Sequence, residues 1–423
     1  MTCPPLSSRR PGSSGGVPAR RVLRAAVAAV CAVGMSVACS SSNGTPNAAG
    51  TPQSGGELVM GLRSDVLSLD PLTSRSGGVT DGSRMTALYD VLLWTDATTK
   101  TVHPHMAESM TADATGTNWT LRLRPEIAFS DGTVLDAAAV QFNWERQRTG
   151  TGPEVTGAAA AGQIRTMTVA PGDPLTLNIT LTAPNSNFDR AVSQSLNFIA
   201  SPTAAKAAGP DGLRTKPVGA GPFVLESHTP GQALVLKRNT RYWQAAKGLP
   251  HLDRITFVPR TDIQQTISEM KAGDIDLTVT RYAPDKAAAE EAGLGVAELL
   301  LDGGSMLQFN TRIAPFDNPD ARLAVAYALS TAEINDRIYQ GQGTPARGMF
   351  ASLSPLANPQ LAAPENDPRK AAQLFDKLTA NGTKKLEFTY TVPTSPLSEQ
   401  LARLIEAKLS AYRGVTMTVR VLP

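Results

Sequence analysis

The sequence predicts an exported α/β protein with more than one packed unit, and three observations carry that reading. Its 423 residues exceed the roughly 100–200 that one ordinary core holds. Short alternating segments recur between capped helical ones from Gly56 to the end, which is the pattern of α/β crossover units. An amino end that is first basic, then apolar, then uncharged precedes them. Composition agrees, because 41% hydrophobic and 18% charged residues are enough apolar material to exclude wholesale disorder. With 40 Lys and Arg against 37 Asp and Glu, the charge of +3 excludes a charge-driven nucleic-acid binder. Four histidines leave little for a His-built metal centre.

Arg9, Arg10, Arg20, Arg21 and Arg24 precede any acidic residue, and Ala25–Ala38 is an almost purely apolar run of 14 residues. A membrane-spanning helix needs about 20, so this length fits the core of a signal peptide. The run ends at Val37-Ala38-Cys39 before Ser40-Ser41-Ser42, so residues 1–38 are expected to be removed and Cys39 to be acylated on its sulfur. A simple secretory signal is the alternative, and Arg20-Arg21 leaves Sec and twin-arginine export both open. Removal takes Cys3 and Cys31 with it, so the exported body holds no internal cysteine and must rely on its core rather than on disulfides. Residues 39–56 are uncharged and rich in Ser, Gly, Thr and Asn, the composition of a flexible tether. The protein is therefore expected on the outer face of the cytoplasmic membrane or in the cell envelope, attached to the bilayer through Cys39.

The elements follow in order. Gly56–Val66 alternates as a strand, and residues 80–93 read as a helix packing Met85, Leu88 and Leu92. Trp119–Phe129 alternates before the turn at Asp131-Gly132. Asp136 caps a helix on which Val140 and Trp144 share a face. Gln163–Val169 and Pro174–Leu181 read as sheet, and Val218–Arg238 as two strands joined at Pro230-Gly231. Ile255–Val258, a helix from Asp262 to Gly273, and Ile275–Val279 form a strand, helix, strand unit. Further helices start at Asn318-Pro319 and Asp367-Pro368, and the helix Ser398–Tyr412 lies between the strands Leu386–Thr391 and Val415–Val421.

Catalytic signatures are missing from residues 39–423, which hold no GxSxG, HExxH, Walker A lysine loop or CxxC; the GxSxG match at Gly12–Gly16 lies in the segment expected to be removed. His103 and His105 flank Pro104 without a third ligand nearby, so no metal is expected, and Asp274 and Asp276 read as capping and turn residues. GAGPF at Gly219–Phe223 enters a strand rather than a helix, so it is no phosphate loop. No cofactor is expected, and the chain reads as a binding protein rather than an enzyme.

Several segments then coincide with one family. They are SLDP at 68–71, ALYDVLL at 87–93, HPHMAES at 103–109, WTLRLRPEIAFSDGTVLDAAAVQF at 119–142 and KPVGAGPFVL at 216–225. LKRNTRYW at 236–243, LPHLDRITF at 249–257, MKAGDIDL at 270–277, LQFNT at 307–311 and APFDNPDARLAVAYALSTAEI at 314–334 follow in the family's order. Together they resemble the extracellular solute-binding proteins of family 5, the oligopeptide, dipeptide and nickel-binding components of ABC importers.

The resemblance implies a periplasmic-binding-protein-like Venus flytrap of cluster C type, two lobes with an extra inserted domain. Domain I would combine 57–96 with 217–300, domain II would be the insertion 97–216, and domain III would be 301–423. Members ordinarily continue past the point where this chain stops, with return strands and a Trp–Asp segment that holds a peptide's α-amino group. Domain III is therefore expected to be C-terminally incomplete, and 57–423 alone to be poorly stable. The implied role is capture of short peptides and their delivery to a membrane permease, by a protein that is monomeric when complete. A nickel complex, an opine, an oligosaccharide or a siderophore-like solute remains an alternative ligand. A ligand-sensing lipoprotein and an extracellular hydrolase remain alternative classes. The candidate ligand contacts carried over are Thr73, Ser74, Arg75, Ser76 and Gly77, with Asn310 at the crossover into domain III.

Overall fold

The computed structural model describes residues 52–74, 79–152, 154–209, 211–298, 304–350, 354 and 357–422. The signal segment, Cys39, the start of the tether and the site candidates Arg75, Ser76 and Gly77 lie outside the described residues. Strand β1 (Glu57–Leu62) leads through a long loop to helix α1 (Val79–Tyr89). A short hairpin of β2 (Leu93–Thr95) and β3 (Val102–Pro104) precedes β4 (Ala107–Ala112) and β5 (Asn118–Leu123). Helices α2 (Ala137–Thr149) and α3 (Ala158–Ala161) come next, then β6 (Ile164–Ala170) and β7 (Asp173–Leu181). Three short helices follow: α4 (Phe188–Ser195), α5 (Pro202–Ala208) and α6 (Gly212–Thr215). The chain continues through β8 (Phe223–Thr229), β9 (Ala233–Arg238), β10 (Arg254–Pro259), α7 (Ile263–Ala272), β11 (Leu277–Thr278) and α8 (Ala283–Glu291). The last stretch holds α9 (Pro319–Ala328), α10 (Thr331–Ile338), α11 (Pro368–Leu378), β12 (Leu386–Pro393), α12 (Pro396–Leu409) and β13 (Val415–Leu422).

Sheet pairing reassembles distant pieces of chain. A five-stranded sheet runs β11-β1-β10-β9-β8, with β1 parallel to both β10 and β11 and the other pairs antiparallel. Its core holds Met60, Leu62, Met85, Tyr89, Leu236 and Phe257. The antiparallel sheet β4-β5-β7-β6 lies within a single stretch, and its core joins Trp119, Phe129, Trp144, Ile179 and Phe188. A third core, with Val325, Phe375, Ile405, Leu409 and Met417, packs helices α9, α11 and α12 on the parallel pair β12-β13.

Helix caps follow the sequence closely. Asp136 accepts from the Ala139 N–H at 2.8 Å and starts α2, whose Val140 and Trp144 are both buried. Asp262 caps α7 and Gly273, in the left-handed region, ends it. Several boundaries differ from expectation: the strands expected over Gly56–Val66, Trp119–Phe129 and Ile275–Val279 run only 57–62, 118–123 and 277–278, and two helices shift. The helix expected over 80–93 stops at Tyr89, because Asp90 takes a φ of +57° and turns its carboxylate onto the Val91 N–H, and Leu93 then starts a strand. The helix expected over 398–412 runs 396–409, because Ser395 accepts from Ser398 and Pro396 supplies the preset first turn. Gly219 and Gly221 let the chain lie directly on α1: a Cβ on Gly221 would stand 2.4 Å from the Leu88 carbonyl carbon. That close approach explains GAGPF without any phosphate.

Candidate functional site

Strands β1, β10 and β11 run parallel, so their carboxyl ends, Leu62, Pro259 and Thr278, lie along one edge of the sheet. In open α/β sheets, ligands bind in the crevice outside such an edge. The β1 exit, Arg63-Ser64-Asp65, and the loop it feeds are therefore the first place to look.

The loop is held from beneath by α2 and by the segment after it. Arg146 donates to both oxygens of Asp70, at 2.6 and 3.1 Å, and the Asp70 side chain is 2% exposed. Gln147 donates to the Pro71 carbonyl at 2.9 Å and accepts from the Gly157 N–H at 3.0 Å. Thr156 donates its N–H to the Leu72 carbonyl and its hydroxyl to the Ser74 carbonyl. Tyr89 donates to the Leu69 carbonyl at 2.7 Å, and burial, with Asp70 nearby, pushes its phenol well above its ordinary value. Only a cavity of about 10 Å³ remains between Pro71, Leu72, Trp144 and Gln147. This underside is packed core, so it is no ligand pocket; its function is to hold the loop still.

Of the candidates on this loop, Thr73 shares a hydrogen bond with the Ser68 hydroxyl at 2.7 Å. Ser74 is buried, and its hydroxyl has no hydrogen-bond partner among the described residues. Asn310 is exposed and accepts from the Arg312 N–H at 3.1 Å; among the described residues it shares no hydrogen bond with the loop. The structure thus brings Thr73 and Ser74 together and leaves Asn310 on a separate segment.

Sequence reasoning passed over the residues at the β1 exit itself. Arg63 donates to Asp285 at 2.5 Å and lies over the Tyr282 ring, 4.7 Å from its centroid. Asp285 also accepts from the Thr280 hydroxyl. Arg84 is buried beside them, donating to Asp81 and to the Ser64 carbonyl, and desolvation lowers its guanidinium from the ordinary value. Burial pushes Asp65 up, but hydrogen bonds from the Gly231 and Val66 N–H groups and from His228 outweigh it and hold the carboxyl below its usual value. The available signal was an arginine immediately after a strand, which becomes informative only once that strand is known to run parallel to its neighbours.

The other candidates have structural partners. Asp276 exchanges backbone and side-chain hydrogen bonds with Val59, tying β11 to β1. His103 stacks on Trp94, whereas His105 meets Asp90 at 2.9 Å. Asp90 further accepts from Tyr242 at 2.9 Å and Trp243 at 3.0 Å, so one buried carboxylate joins three separate stretches of chain. Among the described residues no group of three His, Cys, Asp or Glu side chains could hold a metal ion, and no helix is long and apolar enough to cross a membrane.

Three separate cores, a mixed sheet with a parallel edge and a buttressed loop at that edge fit one fold class, the two-lobed periplasmic-binding-protein fold. Solved structures share the fold. The agropinic acid complex of AgaA from A. tumefaciens R10 superposes with a TM-score of 0.74 at 24% identity, covering 86% of this chain and 72% of that one. DppA from Helicobacter pylori, in complex with the peptide STSA, gives 0.73 at 22% identity over 88% and 74%. The sequence profile of the bacterial extracellular solute-binding proteins, family 5 Middle, matches residues 101–423, and the chain belongs to that family. Curated relatives include the glutathione-binding protein GsiB of Salmonella paratyphi A, 29% identical over 337 residues. That match covers 75% of this chain and 64% of the relative, so the chain spans less than two thirds of the relative's length. GsiB of Escherichia coli O6:K15:H31 is 30% identical over 275 residues, 64% of this chain and 52% of that protein.

Proposed function

We propose that this protein is the extracytoplasmic binding component of an ABC importer, and that it captures short peptides, glutathione among them, for delivery to a membrane permease. The observation that carries this reading is the family match over 101–423, together with curated relatives named for glutathione binding. Glutathione, the STSA peptide and agropinic acid, the solutes in the relatives' names, each carry a carboxylate. Extended peptide main chain suits an enclosed, wet site, because backbone hydrogen bonds give affinity while water accommodates varied side chains.

In this reading the protein binds its solute without transforming it. Domain I combines 57–96 with 217–300, domain II is 97–216 and domain III starts at 301; the separate sheets support that division, while Phe198, Ala200, Ala205 and Leu213 at the end of 97–216 pack into the core of the β1 sheet. Thr73 reaches the solute from the buttressed loop together with Arg75, Ser76 and Gly77, Ser74 offers it backbone only because its side chain is buried, and Asn310 contributes from domain III. Acylated Cys39 holds the protein, a monomer, at the outer face of the membrane.

Titration calorimetry of the purified chain against glutathione and a set of di- to pentapeptides tests the proposal. Saturable binding of at least one peptide is expected. Tight binding of an opine or a nickel–histidine complex, with none for any peptide, would replace it.

A further inference from the structure

We propose that Arg63 is the carboxylate anchor of the ligand site, so that a free carboxylate is a required feature of the solute; this rests on the peptide-binding reading above. Arg63 is the first residue beyond β1, at the carboxyl edge of the parallel strands. Its side chain is 37% exposed, intermediate between a free surface arginine and a buried structural one. Two neighbours from beyond β11 hold it: Asp285 takes one N–H at 2.5 Å, and the Tyr282 ring supports the guanidinium plane at 4.7 Å. Asp285 is itself fixed by the Thr280 hydroxyl, which in turn accepts from the Tyr282 N–H.

A guanidinium has five N–H donors, and the other donors of Arg63 carry no hydrogen bond among the described residues. The group is therefore oriented, partly desolvated and still able to present a fork, which is the geometry that recognises a carboxylate through two parallel hydrogen bonds. The nearest acidic neighbour along the chain does not compete. Asp65 is occupied by the Gly231 and Val66 N–H groups and by His228. Arg260 also lies on this edge, but Glu269 takes its guanidinium at 2.6 Å. Arginines and carboxylates are balanced here, so recognition comes from the directed fork of Arg63 and not from a general positive field.

The test uses the full chain and two probe pairs: Ser-Thr-Ser-Ala with a free or an amidated carboxyl end, and glutathione against its dimethyl ester. Calorimetry on the parent protein should favour the free acid by roughly tenfold to a hundredfold, the span of a hydrogen bond to a charged group. Arg63→Gln should remove that preference while leaving the affinity for the amide or ester unchanged. Arg260→Gln should keep it. Should Arg63→Gln fail to fold because Asp285 has lost its cation, the pair Arg63→Gln with Asp285→Asn removes both charges and reads the same ratio. A preference that survives either replacement overturns the assignment, as does an equal loss for acid and amide, or a loss in Arg260→Gln as large as in Arg63→Gln. A parent protein that binds neither probe of either pair overturns this inference, and one that binds no member of the di- to pentapeptide set overturns the peptide-binding reading as well.

Discussion

Arg146 and Asp70 show how much depends on a pair that stands 76 residues apart in sequence. Asp70-Pro71 reads along the chain as a stop after an apolar group, which it is, and nothing local announces its partner. Removing one member of a buried ion pair leaves an uncompensated charge, so Arg146→Ala should cost about 3–5 kcal/mol of stability, while Asp70→Asn with Arg146→Met should recover much of it. Urea unfolding of the three variants measures both. Asp113 makes the opposite case, an exposed carboxylate in a local turn. Hydrogen bonds from the Asn118 side chain, then from Thr115, lower it from 3.8 to about 2. A depressed carboxyl contributes its stability above the unfolded value, and that contribution fades as pH falls from 3.8 through about 2. Carboxyl-carbon NMR should place its midpoint at about 2, and Asn118→Ala should move the midpoint upward. At this scale Thr73 and Ser74 were legible as a loop, but the inward burial of Ser74 was not, because burial depends on distant chain packed against it, such as Thr156 in the segment after α2.

Helix α2 carries more than its own turn of chain. Asp136 starts it, Val140 and Trp144 face the core, and its last turns present Arg146 and Gln147 to the loop after β1. Asp136→Ala should lower stability by about 1 kcal/mol, the ordinary cost of losing a cap, read as a shift in the thermal midpoint. The glycine strand entry allows a second test. Gly221 lies against the backbone of Ala87 and Leu88, so Gly221→Ala forces helix α1 and β8 apart and should cost about 1–3 kcal/mol in chemical unfolding. Element types were readable where caps and apolar periods gave local signals; residues 201–217, whose Gly, Pro and Lys content reads as a loop, instead hold α5 and α6. The end of α1 was not readable: Asp90 leaves the helix at a φ of +57°, and the carboxylate it turns away is held by Tyr242 and Trp243 from far along the chain.

At the scale of the molecule, the family's fold and the tether make two expectations. Small-angle scattering should show the radius of gyration fall when a bound peptide draws the lobes together, and remain constant for a peptide that does not bind. Cys39→Ala should release the protein from the membrane fraction and abolish an acylated amino terminus in intact mass spectrometry. What the sequence determined by itself was the α/β class, the caps, the turn glycines and the family, since each is written in neighbouring residues or in the order of short segments. Tertiary structure alone decided that β1 lies between β10 and β11, and that Arg63 consequently meets Tyr282 and Asp285 at one edge. The physical reason is that a parallel strand receives its partners from distant chain, so the chemistry at its carboxyl end is assembled by packing and has no signature in local sequence.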